Sequence, residues 1–266
     1  MAEEKLPMIQ ELNFYPIKSF RGLRTSEMRI DASGAQWDRQ WMLIDDKNTF
    51  LSQRQLPILA KIGVAFDEAS IELSVHEKGS VDFGLEEQEG KELQVKIWKA
   101  EVPAFEVSGE VSEWVSGIVG KKVRLVRMSK EAKRLWDADN ADSTLRFTDS
   151  RPLLVIGRAS LEQLEKKANI TMSMARFRPN IVLNHIPPHA EDGYSSIQIG
   201  GMELKALKPC TRCKITTVHP LTGAVGEEPL KTLATYRQQE KGITFGYYYT
   251  AVKPGLIKLG APVSPR

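Results

Sequence analysis

Short apolar runs separated by turn residues dominate the first hundred residues, a pattern typical of β-rich structure. The segment "WMLIDDKNTFLSQRQ" predicts a hairpin with strands at Trp41–Ile44 and Phe50–Gln53 and turn residues at Asp45–Asn48. The segment "IELSVHEKGSVDFGL" predicts a second hairpin, which turns at Lys78–Ser80. The N-terminal part of the chain is therefore predicted to consist mainly of strands.

Helical spacing appears first in "SGEVSEWVSGIVGK", where one face collects Val111, Trp114, Val115, Ile118 and Val119. Gly120 offers a left-handed end to this helix. Farther along, an apolar run predicts a buried strand at Leu153–Ile156. Ser160 and Gln163 then have the spacing of a capping box that opens a second helix.

The last third of the chain returns to strand patterns. The segment "IQIGGMEL" predicts a hairpin with a Gly-Gly turn, and "EEPLKTLATYRQQEKG" predicts a helix with Pro229 in its first turn and Gly242 beyond its end. Two final strands follow in "ITFGYYYTAV" and "GLIKLGAPV". With no internal repeat or flexible linker, the pattern predicts a mixed α+β, β-rich fold, barrel-like in its architecture.

Composition narrows the class of protein further. The chain has 266 residues, 41% of them hydrophobic, which is enough for a substantial core in one large domain or two closely packed ones. A formal net charge of +3, with no basic run interleaved with aromatic residues, argues against binding to a nucleic-acid polymer. The polar N-terminal segment lacks a secretory or membrane-spanning run, so we expect a cytoplasmic protein that does not associate with membranes.

Both cysteines of the chain, Cys210 and Cys213, lie in "KPCTRCKITTVHP", before a run that favours a strand. The pair could be half of a zinc site, a redox dithiol or two thiols without special chemistry. Zinc needs further ligands, and His185 and His189, the only suitably spaced histidines, bracket two prolines. A redox dithiol normally opens a helix. In a fourth alternative, Cys210 alone ligates a transition metal that an organic cofactor also holds.

Such a cofactor needs a cradle of cationic and hydroxyl groups. Candidates occur beside apolar runs in "YPIKSFRGLR", "WDRQW", "FTDSRP" and "RFRPNIV". Arginine suits phosphate and planar heterocycles because its rigid fork donates parallel hydrogen bonds. Taken singly, each of these groups is more often a solvated surface charge, and Arg54 is left unassigned for that reason.

Several ordered blocks carry a resemblance to a known family, among them "YPIKSFRG", "DRQWMLID", "FRPNIV", "CTRCKITTVHPLTG" and "FGYYYTAVKPG". The chain resembles the molybdenum-cofactor sulfurase C-terminal (MOSC) domain family with its N-terminal β-barrel partner, which includes amidoxime-reducing components and bacterial relatives that reduce N-hydroxylated compounds. The resemblance implies a MOSC N-terminal β-barrel domain at residues 1–105, packed on a MOSC β-barrel domain at residues 106–266 with a few short helices.

Carried over by position, the resemblance implies that Cys210 is the catalytic cysteine whose thiolate binds molybdenum, whereas Cys213 is a packing residue. It also implies a set of residues that contact the molybdopterin cofactor, namely Lys18, Ser19, Arg39, Ser150, Arg151, Arg178 and Tyr248. The chain departs from the "DTSP" of the mitochondrial relatives with "DSRP", which changes the chemistry at Arg151. Pro209 before the cysteine is a further departure.

The resemblance implies a molybdenum-cofactor-dependent oxidoreductase that reduces N-hydroxylated or N-oxygenated small molecules to amines. No C-x(4)-C-x(2)-C pattern for an iron–sulfur cluster is present in the chain, so electrons are expected from a separate donor protein. That donor could be ferredoxin-like, cytochrome b5-like or a flavin reductase. The alternative is a molybdenum-cofactor or sulfur carrier that binds without turnover.

Overall fold

The computed structural model describes residues 6–140 and 142–266, in which strands far outnumber helices. The first strands are β1 (Met8–Phe14), β2 (Leu23–Thr25), β3 (Glu27–Asp31), β4 (Gly34–Ala35), β5 (Trp41–Ile44), β6 (Gly63–Phe66), β7 (Ser70–Val75), β8 (Gly79–Gly84), β9 (Glu89–Ile97), β10 (Ala100–Glu106) and β11 (Arg124–Met128). The remaining strands are β12 (Leu153–Gly157), β13 (Ile181–Asn184), β14 (Ser196–Ile199), β15 (Met202–Thr211), β16 (Gln238–Gln239), β17 (Gly242–Ala251), β18 (Gly255–Lys258) and β19 (Val263–Pro265). The α-helices are α1 (Gly109–Val119), α2 (Arg158–Ala168) and α3 (Leu230–Ala234). The predicted β-rich α+β class is confirmed.

The largest sheet has nine strands in the order β19-β14-β15-β17-β12-β13-β1-β2, with β16 paired to β17. Three smaller sheets have the orders β5-β11-β10-β9, β18-β3-β4 and β6-β7-β8. The large sheet takes β1 and β2 from the start of the chain, and the four-stranded sheet extends to Met128. Sheets thus join segments from both sides of residue 105, and the domain boundary at that residue stays a prediction.

Both faces of the large sheet are covered, which explains the continuous apolar run of β12. Leu153 and Val155 enter one core together with Ile257 of the small sheet β18-β3-β4. Leu154 and Ile156, on the opposite face, enter a second core with side chains of α2 and α3. A strand buried on both faces carries apolar residues at successive positions instead of alternating ones. Cys210 belongs to this second core.

Several local predictions are confirmed. Helix α1 ends at Gly120, whose φ of 67° is left-handed. The strands β14 and β15 meet at the Gly-Gly turn, with Ile199 opposite Met202. The hairpin of β7 and β8 also forms, although its turn lies at residues 76–78.

Other local predictions are wrong because tertiary contacts override short patterns. The segment Phe50–Gln53 forms only an isolated bridge, Ile44 with Phe50, and the run after Cys213 forms a 3₁₀ turn at Lys214–Thr217 instead of a strand. Helix α3 has only five residues, since the chain soon turns to form β16.

The predicted capping box of α2 is also wrong. The helix begins at Arg158, with Gly157 in the N-cap position and no capping side chain. Ser160 lies inside the first turn and its hydroxyl donates to the buried carboxylate of Glu191, at 2.9 and 3.0 Å from the two oxygens. The Ser160 hydroxyl therefore bonds to Glu191, which is distant in the sequence, instead of capping the helix as the local pattern predicted.

Within the described ranges, no helix is long and apolar enough to cross a membrane. The cytoplasmic location stays a prediction.

Candidate functional site

One cavity of about 700 Å³ collects every residue that the sequence assigned to the site. Its lining includes Cys210 and the predicted cofactor contacts Lys18, Ser19, Arg39, Ser150, Arg151, Arg178 and Tyr248. These residues come from segments up to 230 positions apart, between residues 18 and 248. The fold therefore brings the whole predicted set together.

Cys210 lies near the end of β15, where that strand departs from regular pairing with β17. The register shifts on both sides of Pro209, between Ala206 and Lys208 and between Pro209 and Thr211. Proline cannot donate to a strand ladder and is tolerated at such irregularities, which redirect nearby side chains. The side chain of Cys210 is consequently buried, with the residue only 2% exposed, beside the cavity.

Arg212 is the closest charged partner of this sulfur. Its Nη1 lies 2.8 Å from Cys210 Sγ, and its Nη2 donates to the carbonyl oxygen of Phe177 at 2.7 Å. Burial alone would lower the pKa of Arg212, but the Cys210 sulfur and Tyr248 outweigh it and raise that pKa. A cation at this distance is complementary to a thiolate, the form of cysteine that ligates metals.

Cys213 does not pack in the core, so the prediction for this residue is wrong. Its thiol is exposed at the cavity and accepts a hydrogen bond from Arg54 Nη1 at 3.4 Å. Among residues 6–140 and 142–266, no group of three or more His, Cys, Asp or Glu side chains is arranged to hold a metal ion.

Tyr15 holds two of the predicted arginines in place. Its ring contacts both the guanidinium of Arg39, 4.3 Å from the ring centroid, and that of Arg178, 4.1 Å away. Asp38 pairs with Arg39, while Arg178 Nη1 donates to the Phe20 carbonyl at 2.5 Å. Burial and the neighbouring Arg39 lower the pKa of Arg178 to about 10. The two cations are thus fixed close together.

Backbone strain coincides with this part of the site. Ser19, Arg39 and Arg178 have φ values of 72°, 51° and 56°, in the left-handed region that residues other than glycine seldom adopt. Such conformations persist only where surrounding contacts enforce them, and they concentrate at functional sites. At Ser19 one such contact is the hydrogen bond that Gln53 Nε2 donates to the Ser19 carbonyl at 2.6 Å.

Lys18 and Asp149 form an ion pair at the cavity, with 2.5 Å between Nζ and Oδ1. Lys18 Nζ also donates to the Phe147 carbonyl at 2.8 Å, and Trp98 Nε1 donates to Asp149 Oδ1 at 3.1 Å. Burial lowers the pKa of Lys18 to about 8 although Asp149 opposes this shift. Burial would raise the pKa of Asp149, but the Lys18 ammonium holds it well below its usual range.

Arg151, where the chain departs from the pattern of the mitochondrial relatives, places a guanidinium group in the lining of the cavity. Its guanidinium lies 4.8 Å from the ring centroid of Trp136, and its Nη1 donates to the Ser150 carbonyl at 2.7 Å. Across the sheet, Tyr248 pairs with Leu154 on one side and with Lys208 on the other. Burial, then Arg151 and Lys241, lower the pKa of Lys208, whereas Cys210 opposes the shift.

The cavity is strongly cationic and contains donors without partners. Its lining carries eight lysine or arginine side chains against two carboxylates, Asp149 and Glu240. Five lining residues bury a polar atom that has no hydrogen-bond partner within the described residues, namely Arg54 Nη2, Thr148 Oγ1, Arg151 Nε, Arg178 Nη2 and Arg212 Nε. Unpartnered buried polar groups are costly, so these atoms fit a ligand that is anionic and rich in acceptors.

Comparison with known proteins identifies the family. A MOSC N-terminal beta barrel domain matches residues 6–122, and a MOSC domain matches residues 142–264. The chain is 30% identical to mitochondrial amidoxime-reducing component 1 of Mus musculus over 283 residues, covering 98% of this chain and 82% of the relative. The protein belongs to the MOSC family. This MOSC protein is also 28% identical to the Homo sapiens component 1, over 98% of its own length and 83% of the relative's.

Among solved structures, this MOSC protein is similar to the YuaD protein of Bacillus subtilis, with 11% identity and a TM-score of 0.43. That alignment covers 99% of this chain and 97% of the other. The family resemblance predicted from the sequence blocks is confirmed by the domain matches and the sequence relatives.

Sequence reasoning did not single out several residues that line this MOSC protein's cavity, among them Arg212, Asp149 and Trp98. Arg212 stands between the two cysteines in "CTRC", and Asp149 stands in "TDSRP", so both lay inside motifs that were already recognised. Trp98 carries no comparable signal, because its contact with Asp149 joins positions 51 residues apart. Arg54 was considered and left out, yet it lines the cavity.

Proposed function

We propose that this MOSC protein binds a molybdenum–pterin cofactor through Cys210 and reduces N-hydroxylated compounds to amines. The observation that carries the proposal is the buried Cys210 thiol, paired with Arg212 and facing a cationic cavity with unpartnered donors. Relatives named amidoxime-reducing components, at 28–30% identity over most of their length, support the substrate class.

The residues present fit such a cofactor. A thiolate is a soft ligand suited to a transition metal, and an anionic pterin needs charge-assisted donors around its phosphate. We assign the phosphate and pterin contacts to Lys18, Ser19, Arg39 and Arg178, which are fixed by their own protein partners. Further contacts are assigned to Ser150, Arg151 and Tyr248.

When bound, the cofactor supplies two electrons that, with two protons, convert an N-hydroxy group into an amine and water. The chain itself orients and shields this reaction. Arg212 neutralises the charge of the thiolate, and the buried strands β12, β15 and β17 exclude water behind it. The strained backbone at Ser19, Arg39 and Arg178 fixes cationic groups before the ligand arrives, which reduces the reorganisation needed on binding.

The electrons are proposed to come from a separate donor protein. Both cysteines of the sequence lie at the cavity, so this chain has no set of cysteines left for an iron–sulfur cluster. A ferredoxin-like protein, a cytochrome b5-like protein or a flavin reductase could each serve in the cytoplasm.

The decisive experiment measures molybdenum by mass spectrometry on protein made in a host that supplies the cofactor. Wild type, Cys210→Ala and Cys213→Ala are compared, and benzamidoxime reduction is followed with reduced methyl viologen as the donor. We expect near-stoichiometric molybdenum and turnover in the wild type and in Cys213→Ala, and loss of both in Cys210→Ala.

Two results would contradict the proposal. Wild-type protein without molybdenum under these conditions would refute the cofactor assignment, and zinc in its place would support a site built on both cysteines. Stoichiometric molybdenum without consumption of any N-hydroxy substrate would instead support the cofactor carrier.

A further inference from the structure

Six of the eight cations that line the cavity fall into two groups that differ in their protein partners. The inner group has a partner for each member: Asp149 for Lys18, Asp38 for Arg39, the Phe20 carbonyl for Arg178 and the Cys210 sulfur for Arg212. The second group, here called the outer patch, consists of Lys208 and Lys241. Within residues 6–140 and 142–266, no member of the outer patch forms a salt bridge.

The outer patch lies at two neighbouring strands of the large sheet, because Lys208 is on β15 and Lys241 directly precedes β17. Lys241 is the one exposed residue among the eight cations that line the cavity, and Lys208 is half-buried. In the inner group Lys18 is only 4% exposed, while Arg39, Arg178 and Arg212 are half-buried. The outer patch therefore marks the side from which a soluble molecule reaches Cys210.

Charge in the outer patch is not balanced by the protein. The like charges of Lys208 and Lys241 at one opening repel each other, and the neighbouring carboxylate, Glu240, forms no salt bridge among the described residues. A cleft lined by one sign of charge attracts ligands of the opposite sign and speeds their association.

We propose that the outer patch selects N-hydroxylated substrates that carry a carboxylate or phosphate group. This inference rests on the proposed function and names the substrate class that the site takes. A tightly retained cofactor matches the partnered inner group, whereas an exchanging substrate must pass the outer patch with its exposed Lys241. An oxyanion there would pair with Lys208 and Lys241 while its N-hydroxy group lies toward Cys210.

A matched pair of substrates tests the proposal with molybdenum-loaded protein. Benzamidoxime is neutral, and 4-carboxybenzamidoxime adds a carboxylate on the same ring. We expect kcat/KM of the wild type to favour the anionic substrate about tenfold at low salt, mainly through KM, and the preference to shrink at high salt. In Lys208→Gln with Lys241→Gln, the preference should fall to within about twofold. Lys205→Gln is the control, because Lys205 is exposed on the same strand but does not line the cavity.

Binding without turnover gives a second readout. Calorimetry with each amidoxime and no electron donor should show tighter binding of the anionic compound to the wild type, and no such preference in the double variant. Molybdenum content should be the same in the double variant and in Lys205→Gln, since the patch serves the substrate.

The outcomes distinguish a failure of the substrate assignment from a failure of the proposed function. Equal kcat/KM and equal affinity for both amidoximes in the wild type, or a preference that survives the double substitution, would overturn the substrate assignment. Loss of molybdenum in the double variant would assign the patch to the cofactor and overturn it as well. If loaded wild type reduces neither compound, the proposed function fails, and the calorimetric preference then decides separately whether the patch binds oxyanions.

Discussion

Tyr15 offers the sharpest test of how the cavity is organised before any ligand binds. Two guanidinium groups lie 4.1 and 4.3 Å from the centroid of this ring, and each cation–π contact, intermediate between exposed and fully desolvated, contributes about 1–1.5 kcal/mol. In Tyr15→Leu both contacts are lost, and Arg39 and Arg178 are free to move apart because like charges repel. Returning them to their positions then costs about 2–3 kcal/mol, equivalent to about 30-fold to about 150-fold in affinity.

The assay is retention of the cofactor. Molybdenum lost through an ultrafiltration membrane is followed by mass spectrometry, and the dissociation rate of Tyr15→Leu is compared with that of the wild type. Tyr15→Phe is the matched control, because it keeps the ring and removes only the hydroxyl that donates to the Pro179 carbonyl at 3.1 Å. That change should lower the free energy of unfolding by about 1 kcal/mol and leave retention unchanged.

A general loss of stability must be distinguished from a local effect. Tyr194→Leu removes a half-buried tyrosine outside the cavity and should leave retention near the wild-type rate. If Tyr15→Leu is folded, as judged by urea unfolding, and still retains molybdenum as the wild type does, the arginine positions do not depend on the ring and the reasoning is refuted.

Three further predictions concern other parts of the structure. Gly22→Ala should speed molybdenum loss as Tyr15→Leu does, since a Cβ on Gly22 would lie 2.2 Å from the Tyr15 ring. Unchanged molybdenum retention would show that the ring can shift without affecting cofactor binding. Sulfate binding to cofactor-free protein, measured by calorimetry, should weaken as pH rises through about 8, where Lys18 loses its proton. Lys18→Met should abolish this pH dependence. The same pH profile in the variant and the wild type would contradict the role of Lys18. Ser160→Ala should destabilise the fold by about 1–3 kcal/mol at about pH 8, because it removes the hydroxyl donor to the Glu191 carboxylate. Burial raises the pKa of Glu191, so this carboxyl favours the folded state less as pH rises. The loss of unfolding free energy in Ser160→Ala, measured by urea unfolding, should therefore be smaller at about pH 5. An equal loss at both pH values would argue against a charged Glu191.

Local patterns were sufficient where a single short segment decides the outcome. Helix α1 followed from apolar spacing and a terminal glycine, and the turn at Gly200 followed from a dipeptide that permits positive φ. The ordered motifs also predicted the lining of one cavity, because residues such as Lys18, Arg178 and Cys210 each stand in a recognisable block.

Partners far apart in the chain could not be predicted in this way. Ser160 has the spacing of a helix cap, but its hydroxyl donates to the buried carboxylate of Glu191. Leaving that buried acceptor without a donor would cost more than leaving the helix without a side-chain cap. The exposure of Cys213 depends on how the turn at Lys214–Thr217 leaves β15, and its neighbour Arg54 belongs to a turn 159 residues away in the sequence.

The sequence by itself determined the strand-rich class, two of the three predicted hairpins and the family, since these depend on periodicity, turn chemistry and ordered motifs. Only the tertiary structure decided which cations are neutralised and which are left open to solvent. Electrostatic and hydrogen-bond energies depend on distance and burial, and both are set by strands that meet across the large sheet and not by their order along the chain. The cations of one cavity thus form an inner group with protein partners and an outer patch without salt bridges among the described residues.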